Sequence, residues 1–192
     1  EKMAIFASKT SKMREISLIK LHFHQQATSA IKEIYFNSFP PEERRSWDSI
    51  NHLLSQNNSP YNIDIILCDG EVAGFISWWQ FLDFCYVEHF AIKQSMREMG
   101  IGAKAISLFT ETKNTPIVLE VELPNSSEMA QRGIAFYTRN GFSAHPHFEY
   151  IQPPYGDGLP FVPLMLMTAN TPSHIDLNNI SQQLHSVVYG VK

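Results

Sequence analysis

The chain has 192 residues, a length that fits one domain of roughly 100–200 residues with a sizeable core. Its composition, 44% hydrophobic and 18% charged, is ordinary for a globular protein and too apolar for disorder. The formal net charge is -4 and the longest basic run is Arg44-Arg45, preceded by Glu42 and Glu43, so no basic face for a nucleic acid is expected.

No stretch approaches the roughly 18 continuous apolar residues of a membrane span, so no membrane partner is expected. Lys2, Lys9 and Lys12 near the start precede no apolar segment of the secretory kind. The two cysteines, Cys68 and Cys85, sit in apolar, strand-like segments and read as reduced core thiols. Together these features predict a cytoplasmic protein.

Along the chain, residues 1–13 read as a loose leader and residues 15–20 as a short first strand. Ala27, Ala30, Ile31, Ile34 and Tyr35 recur at helical spacing, which predicts a helix over 25–39 that ends at Pro40-Pro41. Ile50, Leu53 and Leu54 mark a second helix over 47–54. Strands follow at 63–68 and 72–79, joined by the Asp69-Gly70 turn signal, and a third strand at 84–92. A helix over 100–110, a strand over 117–123 and a helix over 126–140 come next, with Gly141 where a C-cap glycine belongs. Two closing strands around 150–152 and 164–168 and a terminal helix over 176–189 complete the order. Hairpins followed by a βαβ unit imply a mixed sheet in an α/β or α+β domain.

The most informative segment is the run from strand 84–92 through Arg97-Glu98-Met99-Gly100-Ile101-Gly102 into a helix. Unpaired N–H groups and the positive end of the dipole make such a helix start an anion site. Glycine lets backbone approach a phosphate closely, and Arg97 can add a charge-assisted bond. The Walker and dinucleotide fingerprints are both missing, which argues against a P-loop enzyme and a Rossmann site.

The segment Tyr86 to Ile92 followed by Arg97-x-x-Gly100-x-Gly102 closely resembles motif A of the GNAT acetyltransferase superfamily. Ile134 to Phe142, with Tyr137 inside it, resembles motif B, and the strand at 118–123 sits where the family's splayed fifth strand lies. Pro40 to Arg45 and Tyr150-x-x-Pro-Pro-Tyr155 resemble features of a bacterial branch. The resemblance implies one GNAT-like domain over 1–192, with a mixed, mostly antiparallel sheet of about six to seven strands flanked by helices.

It also implies acetyl-CoA as co-substrate, no metal, and a small-molecule or peptide amine as acceptor; a homodimer stays open. Arg97, Glu98, Met99, Gly100, Ile101, Gly102 and Ala103 would hold the pyrophosphate, with the Glu98 side chain turned to solvent. Phe90, Ala91 and Ile92 would pair with the pantetheine arm and supply an oxyanion-type N–H. Asn125, after the fifth strand, would touch CoA. Tyr137 would protonate the leaving thiolate. An amine of pKa about 10.4 is protonated at pH 7, and freeing it costs about 3.4 pH units, roughly 4.6 kcal/mol. A base is therefore useful, and Glu88 is the candidate: two residues before Phe90 it shares that face, and an apolar strand should raise its pKa. Glu120 and Glu122 are rival bases.

Other residues carry weaker signals. His22 and His24, and His145 and His147, are spaced as strand neighbours on one face, but no zinc signature accompanies them. His89 should point away from Glu88. Cys85 is a candidate acyl-accepting nucleophile, set against its strand position. Trp78, Trp79, Phe81 and Phe84 could wall an acceptor pocket or fill a core. Three other functions stay open: transfer of another acyl group, a non-catalytic CoA-binding or regulatory domain, and an unrelated phosphate-ligand binder.

Overall fold

The Asp69-Gly70 turn joins two long antiparallel strands, β2 (Tyr61–Cys68) and β3 (Glu71–Gln80), and the sheet grows from this hairpin. The structure is a computed structural model that describes residues 14–21, 27–172 and 174–191. The leader over 1–13 and the His22/His24 pair lie outside the described residues. The remaining strands are β1 (Ile16–Lys20), β4 (Cys85–Ile92), β5 (Ile117–Glu122), β6 (Ser143–Ala144), β7 (Tyr150–Gln152) and β8 (Val162–Ala169). The helices are α1 (Ala27–Ser38), α2 (Trp47–Ser55), α3 (Ile101–Glu111), α4 (Glu128–Arg139) and α5 (Leu177–Gln183), with a 3-10 turn at Pro41–Glu43.

The order across the sheet is β1-β2-β3-β4-β5-β8-β6, and β7 also pairs with β8. Among the described residues β4 and β5 are the one parallel pair, joined by the α3 crossover. The sheet is therefore mixed and mostly antiparallel, with eight strands among the described residues. The one strand added to those expected is the two-residue β6.

Helices cover both faces. On one face Ile31, Ile34 and Tyr35 of α1, Trp47 and Ile50 of α2, and Ile180, Leu184 and Val188 of the C-terminal segment pack on Ile63, Phe75, Tyr86 and Leu166. On the other, Ile101, Ala105, Ile106 and Phe109 of α3 pack on Ile76, Val87, Leu119 and Met167. Side-chain caps set the helix starts: Ser46 accepts from the Ser49 N–H at 3.1 Å, and Ser127 accepts from the Ala130 N–H at 3.0 Å. In the middle of β3, Gly74 lets the neighbouring strand come close. A Cβ there would lie 2.2 Å from the Ala91 carbonyl oxygen of β4.

The terminal helix changes pitch. After α5 the chain continues as a π turn over Leu184–Val188, with the Tyr189 N–H donating to the Leu184 carbonyl at 3.2 Å. The Val188 carbonyl, at the end of the helix, accepts from a side chain of another element. Among the described residues no helix is long and apolar enough to cross a membrane.

Candidate active site

The parallel pair β4–β5 is bonded at its start only. Cys85 faces Ile117, Tyr86 faces Val118 and Val87 faces Leu119. Beyond that point β4 continues to Ile92 on β3 alone, and β5 continues to Glu122 on β8 alone. The two strands thus form a fork whose inner edges, among the described residues, lack a strand partner over five residues of β4 and three of β5. Unpaired strand edges are templates for an added extended chain. The fork opens toward the turn that starts α3.

At the root of the fork β4 carries a bulge. Trp78 of β3 pairs with Val87 and Ser77 with His89, so Glu88 is the extra residue. This overturns two expectations built on unbroken alternation. Glu88 does not share a face with Phe90, because Phe90 packs with Phe136 and Tyr137 of α4 on the opposite side. His89 does not point away from Glu88: both face α1 and the 3-10 turn, with His89 Nδ1 3.9 Å from Glu88 Oε2. His89 Nε2 donates to the Glu43 carbonyl at 2.9 Å, which leaves Nδ1 to accept from the Ser77 hydroxyl at 3.2 Å. Burial holds the imidazole below its usual pKa, so it is neutral at pH 7.

Glu88 is fully enclosed and bonded on both oxygens. Arg45 Nε donates to Oε1 at 2.8 Å, the Tyr155 hydroxyl donates to Oε1 at 3.0 Å, and Trp79 Nε1 donates to Oε2 at 3.0 Å. Burial pushes its pKa up, but the Arg45 charge and the Trp79 and Arg45 hydrogen bonds outweigh burial and hold it below the ordinary carboxylate value. The expectation of a raised pKa is reversed, because a cation from the turn after α1 reaches the strand. The Arg45 guanidinium also lies over the Trp79 and Tyr155 rings, 5.2 and 4.9 Å from their centroids, and its Nη2 donates to the Val188 carbonyl at 2.5 Å.

Glu120 stands opposite, on the β5 arm. Oε2 accepts from the Tyr86 hydroxyl at 2.8 Å and the Tyr189 hydroxyl at 2.8 Å, and Oε1 accepts from the Tyr150 hydroxyl. No cation pairs with Glu120 among the described residues. Burial raises its pKa to about 7, with Glu88 adding to the rise and the three tyrosine bonds opposing it. Glu122, the other rival, is exposed at the end of β5.

At the open end, Gly100 holds a left-handed conformation (φ 77) ahead of α3, which suits glycine. No side chain caps that helix among the described residues, and its first backbone bond runs from the Lys104 N–H to the Gly100 carbonyl at 3.2 Å. The N–H groups of Ile101, Gly102 and Ala103 therefore present a positive end toward the fork. A Cβ at Gly102 would lie 3.5 Å from the Ile92 side chain and 3.6 Å from the Phe90 and Phe136 rings, so the first turn of α3 lies close against the end of β4. Glu98 is exposed, as expected, and Met99 is 42% exposed. Arg97 Nε donates to the Ile92 carbonyl at 3.0 Å, and its Nη2 lies 3.5 Å from the Ser38 hydroxyl, so this side chain braces the loop against α1.

Tyr137 projects from α4 into the ring cluster of Phe90, Phe136 and Phe142. Its hydroxyl has no hydrogen-bond partner among the described residues, and burial pushes its pKa up, so it stays protonated. Asn125 is exposed in the turn between β5 and α4. Sequence reasoning missed Arg45, Tyr86, Tyr155 and Tyr189 as members of this constellation. A polar tip on an otherwise apolar strand was the available signal for Tyr86; Tyr155 and Tyr189 lie off the strands and carried no such signal.

Cys85, Trp78, Phe81 and Phe84 fall away from the site. Cys85 is fully buried, with its thiol pushed up to about 12, which removes it as a nucleophile. Trp78 and Trp79 face opposite sides of the sheet; Trp79 meets Glu88, while Trp78 Nε1 donates to Asp64 at 2.9 Å. Phe81 and Phe84 stack on each other at 4.3 Å. His145 bonds Thr168 at 2.8 Å and His147 is exposed; no group of metal-ligating side chains occurs among the described residues.

A forked parallel pair with a bare helix start at its mouth has room for an extended chain between two strands and an anion at the helix start. The sequence model of the acetyltransferase (GNAT) family matches residues 25–142. A protein from Bacteroides thetaiotaomicron, assigned to the GNAT acetyltransferases, is similar at 37% identity and TM-score 0.85, covering 92% of this chain and 99% of its own. The chain belongs to the GNAT acetyltransferase family. The fold is shared by a Bacillus subtilis acetyltransferase solved in complex with CoA (13% identity, TM-score 0.56, 82% of this chain and 100% of that one). It is shared also by a GNAT acetyltransferase from Elizabethkingia anophelis with acetyl-CoA bound (16% identity, TM-score 0.56, 81% and 98%). No curated protein matches the chain.

Proposed function

We propose that this protein transfers the acetyl group of acetyl-CoA to an amine by direct attack within a ternary complex. The observation that carries the reading is the parting of β4 from β5 after Val87 and Leu119, with uncapped α3 amides at the open end. The residues present fit acetyl-CoA, which supplies an activated acetyl thioester on a long arm that ends in a diphosphate. The amides of Ile101, Gly102 and Ala103 hold the diphosphate, with Gly100 shaping the turn. The free edge of β4 at Phe90, Ala91 and Ile92 aligns the arm and polarises the thioester carbonyl by a backbone N–H.

Glu120 is the proton acceptor in this reading. A carboxylate titrating at about 7 is ionised often enough at neutral pH to act and basic enough to take a proton. Three tyrosine hydroxyls occupy three of its roughly four acceptor positions, which leaves one for an amine N–H. Glu88, tied to Arg45, is a weak base and acts by holding the root of the fork. Tyr137, protonated and unpartnered, gives its proton to the departing sulfur. Asn125 remains a candidate contact to CoA at the start of α4.

The test is release of free CoA thiol from acetyl-CoA across a panel of amines, repeated with Glu120→Gln and Tyr137→Phe. Amine-dependent release that collapses in Glu120→Gln supports the reading. Tight CoA binding with no release on any amine would favour a regulatory CoA-binding domain instead.

A further inference from the structure

The family model ends at residue 142, yet much of the Glu120 environment comes from beyond it. Tyr150 arrives on β7, Tyr155 in the following loop, and Tyr189 at the end of the π turn. The Tyr189 hydroxyl donates to Glu120 Oε2 at 2.8 Å and lies 3.2 Å from the Tyr86 hydroxyl on the same oxygen. Its ring packs on Tyr155 at 5.1 Å, and the Tyr155 hydroxyl donates to Glu88. The residue just before it, Val188, gives its carbonyl to Arg45 Nη2, whose guanidinium is the partner of Glu88. One guanidinium thus joins the turn after α1, the bulge of β4 and the C-terminal segment.

We propose that Tyr189 is a positioning residue for the acceptor half of the site, seated on Glu120 by the clamp of Arg45 on the Val188 carbonyl. This inference rests on Glu120 as the proton acceptor. It adds that the base is set by a segment outside the matched family region, so the C-terminal residues belong to the catalytic unit. The geometry gives the reason. Tyr86 and Tyr150 are held within the sheet, 0% and 3% exposed, whereas Tyr189 follows a terminal helix packed on the core through Ile180, Leu184 and Val188, to which Arg45 adds a polar anchor from another element.

The groups that face Glu120 are Tyr86 and Glu88 on β4, Tyr150 on β7, Tyr155 in the loop, and Tyr189 at the C-terminal end; His185 packs against the Tyr150 ring at 5.5 Å. Loss of the Tyr189 hydroxyl removes a hydrogen bond to the charged form and leaves the others in place. The Glu120 titration should therefore move to higher pH by about one pH unit.

The experiment is a carbon-13 titration of the Glu120 carboxyl, assigned with Glu120→Gln, run beside the pH profile of kcat/KM for the amine in the wild type, Tyr189→Phe, Arg45→Lys and the double variant. Arg45→Lys keeps the charge beside Glu88 but lacks the second donor arm that reaches Val188. The expected result is an upward shift of the Glu120 titration by about one pH unit in Tyr189→Phe, followed by the acid limb of the rate profile. Arg45→Lys should move both in the same direction, and the double variant should move no further than Tyr189→Phe alone. An unmoved Glu120 titration in Tyr189→Phe overturns the inference and leaves the base assignment standing. A titration that moves while the rate profile does not removes Glu120 as the base, and the positioning role with it.

Discussion

Glu88 and Glu120 stand one residue beyond the last bonded pair of the parallel strands, Val87 opposite Leu119, one on each arm of the fork. The two carboxylates share a depth in the protein and differ in what reaches them. A guanidinium pairs with Glu88, while Glu120 receives three neutral hydroxyls. Environment therefore separates their pKa values in opposite directions, the pattern by which acid–base roles are divided within one site.

Glu120→Gln keeps the shape and removes the proton acceptor. We expect kcat to fall by about 100- to 10,000-fold, with KM for acetyl-CoA little changed. The wild-type rate should rise with pH through about 7, as Glu120 ionises, and the residual rate of the variant should lack that limb. Steady-state kinetics from pH 5.5 to 9 (a range chosen to bracket about one and a half units or more on each side of the expected value) measures both.

The same residue affects stability with the opposite sign. Its folded pKa lies above the ordinary 4.5, so the folded state binds the proton more tightly. The wild type should lose stability as pH rises from 4.5 toward 7 and level off above. Thermal melts of Glu120→Gln should show no such loss from this site, so the variant gains on the wild type across that window.

Arg45→Ala leaves Glu88 buried without its cation, which should cost about 3–5 kcal/mol in chemical denaturation. In the wild type the folded pKa of Glu88 lies below 4.5, so its contribution is complete above that pH and is lost as pH falls below it. The deficit of the variant should therefore shrink in acid, where Glu88 is protonated in both proteins.

Tyr137→Phe removes a hydroxyl that bonds nothing among the described residues and keeps the ring against Phe90, Phe136 and Phe142. Its melting temperature should match the wild type, while kcat falls at least about 100-fold if the hydroxyl protonates the leaving sulfur. Full activity would remove that role.

Cys85 should resist iodoacetamide in the native protein at pH 8 and react on unfolding, since its thiol is buried and pushed up to about 12. Mass spectrometry before and after denaturation reads the difference.

Local signals carried most of the architecture. Capping serines at positions 46 and 127, the Asp69-Gly70 turn and the apolar spacing of α1 each depend on neighbours a few residues away, and each element formed close to its expected place. The facing of Glu88 was not legible. Period-two alternation holds only while the register is unbroken, and nothing local marks the bulge that sets Trp78 on Val87 and Ser77 on His89. The tyrosine cage was equally hidden, because Tyr86, Tyr150 and Tyr189 meet on Glu120 across separations of 30 to 69 residues. Arg45 lay inside a segment noted for its resemblance, but its pairing with Glu88, 43 residues away, depends on how α1 docks on the sheet.

The most direct test is a crystal structure of the protein soaked with CoA. The account predicts the diphosphate within hydrogen-bonding distance of the Ile101, Gly102 and Ala103 amides, and the arm bonded along β4 at Phe90 to Ile92 with its sulfur near Tyr137 and the root of the fork. A bound CoA whose arm lies outside the β4–β5 opening, or whose diphosphate sits away from the α3 start, would contradict it.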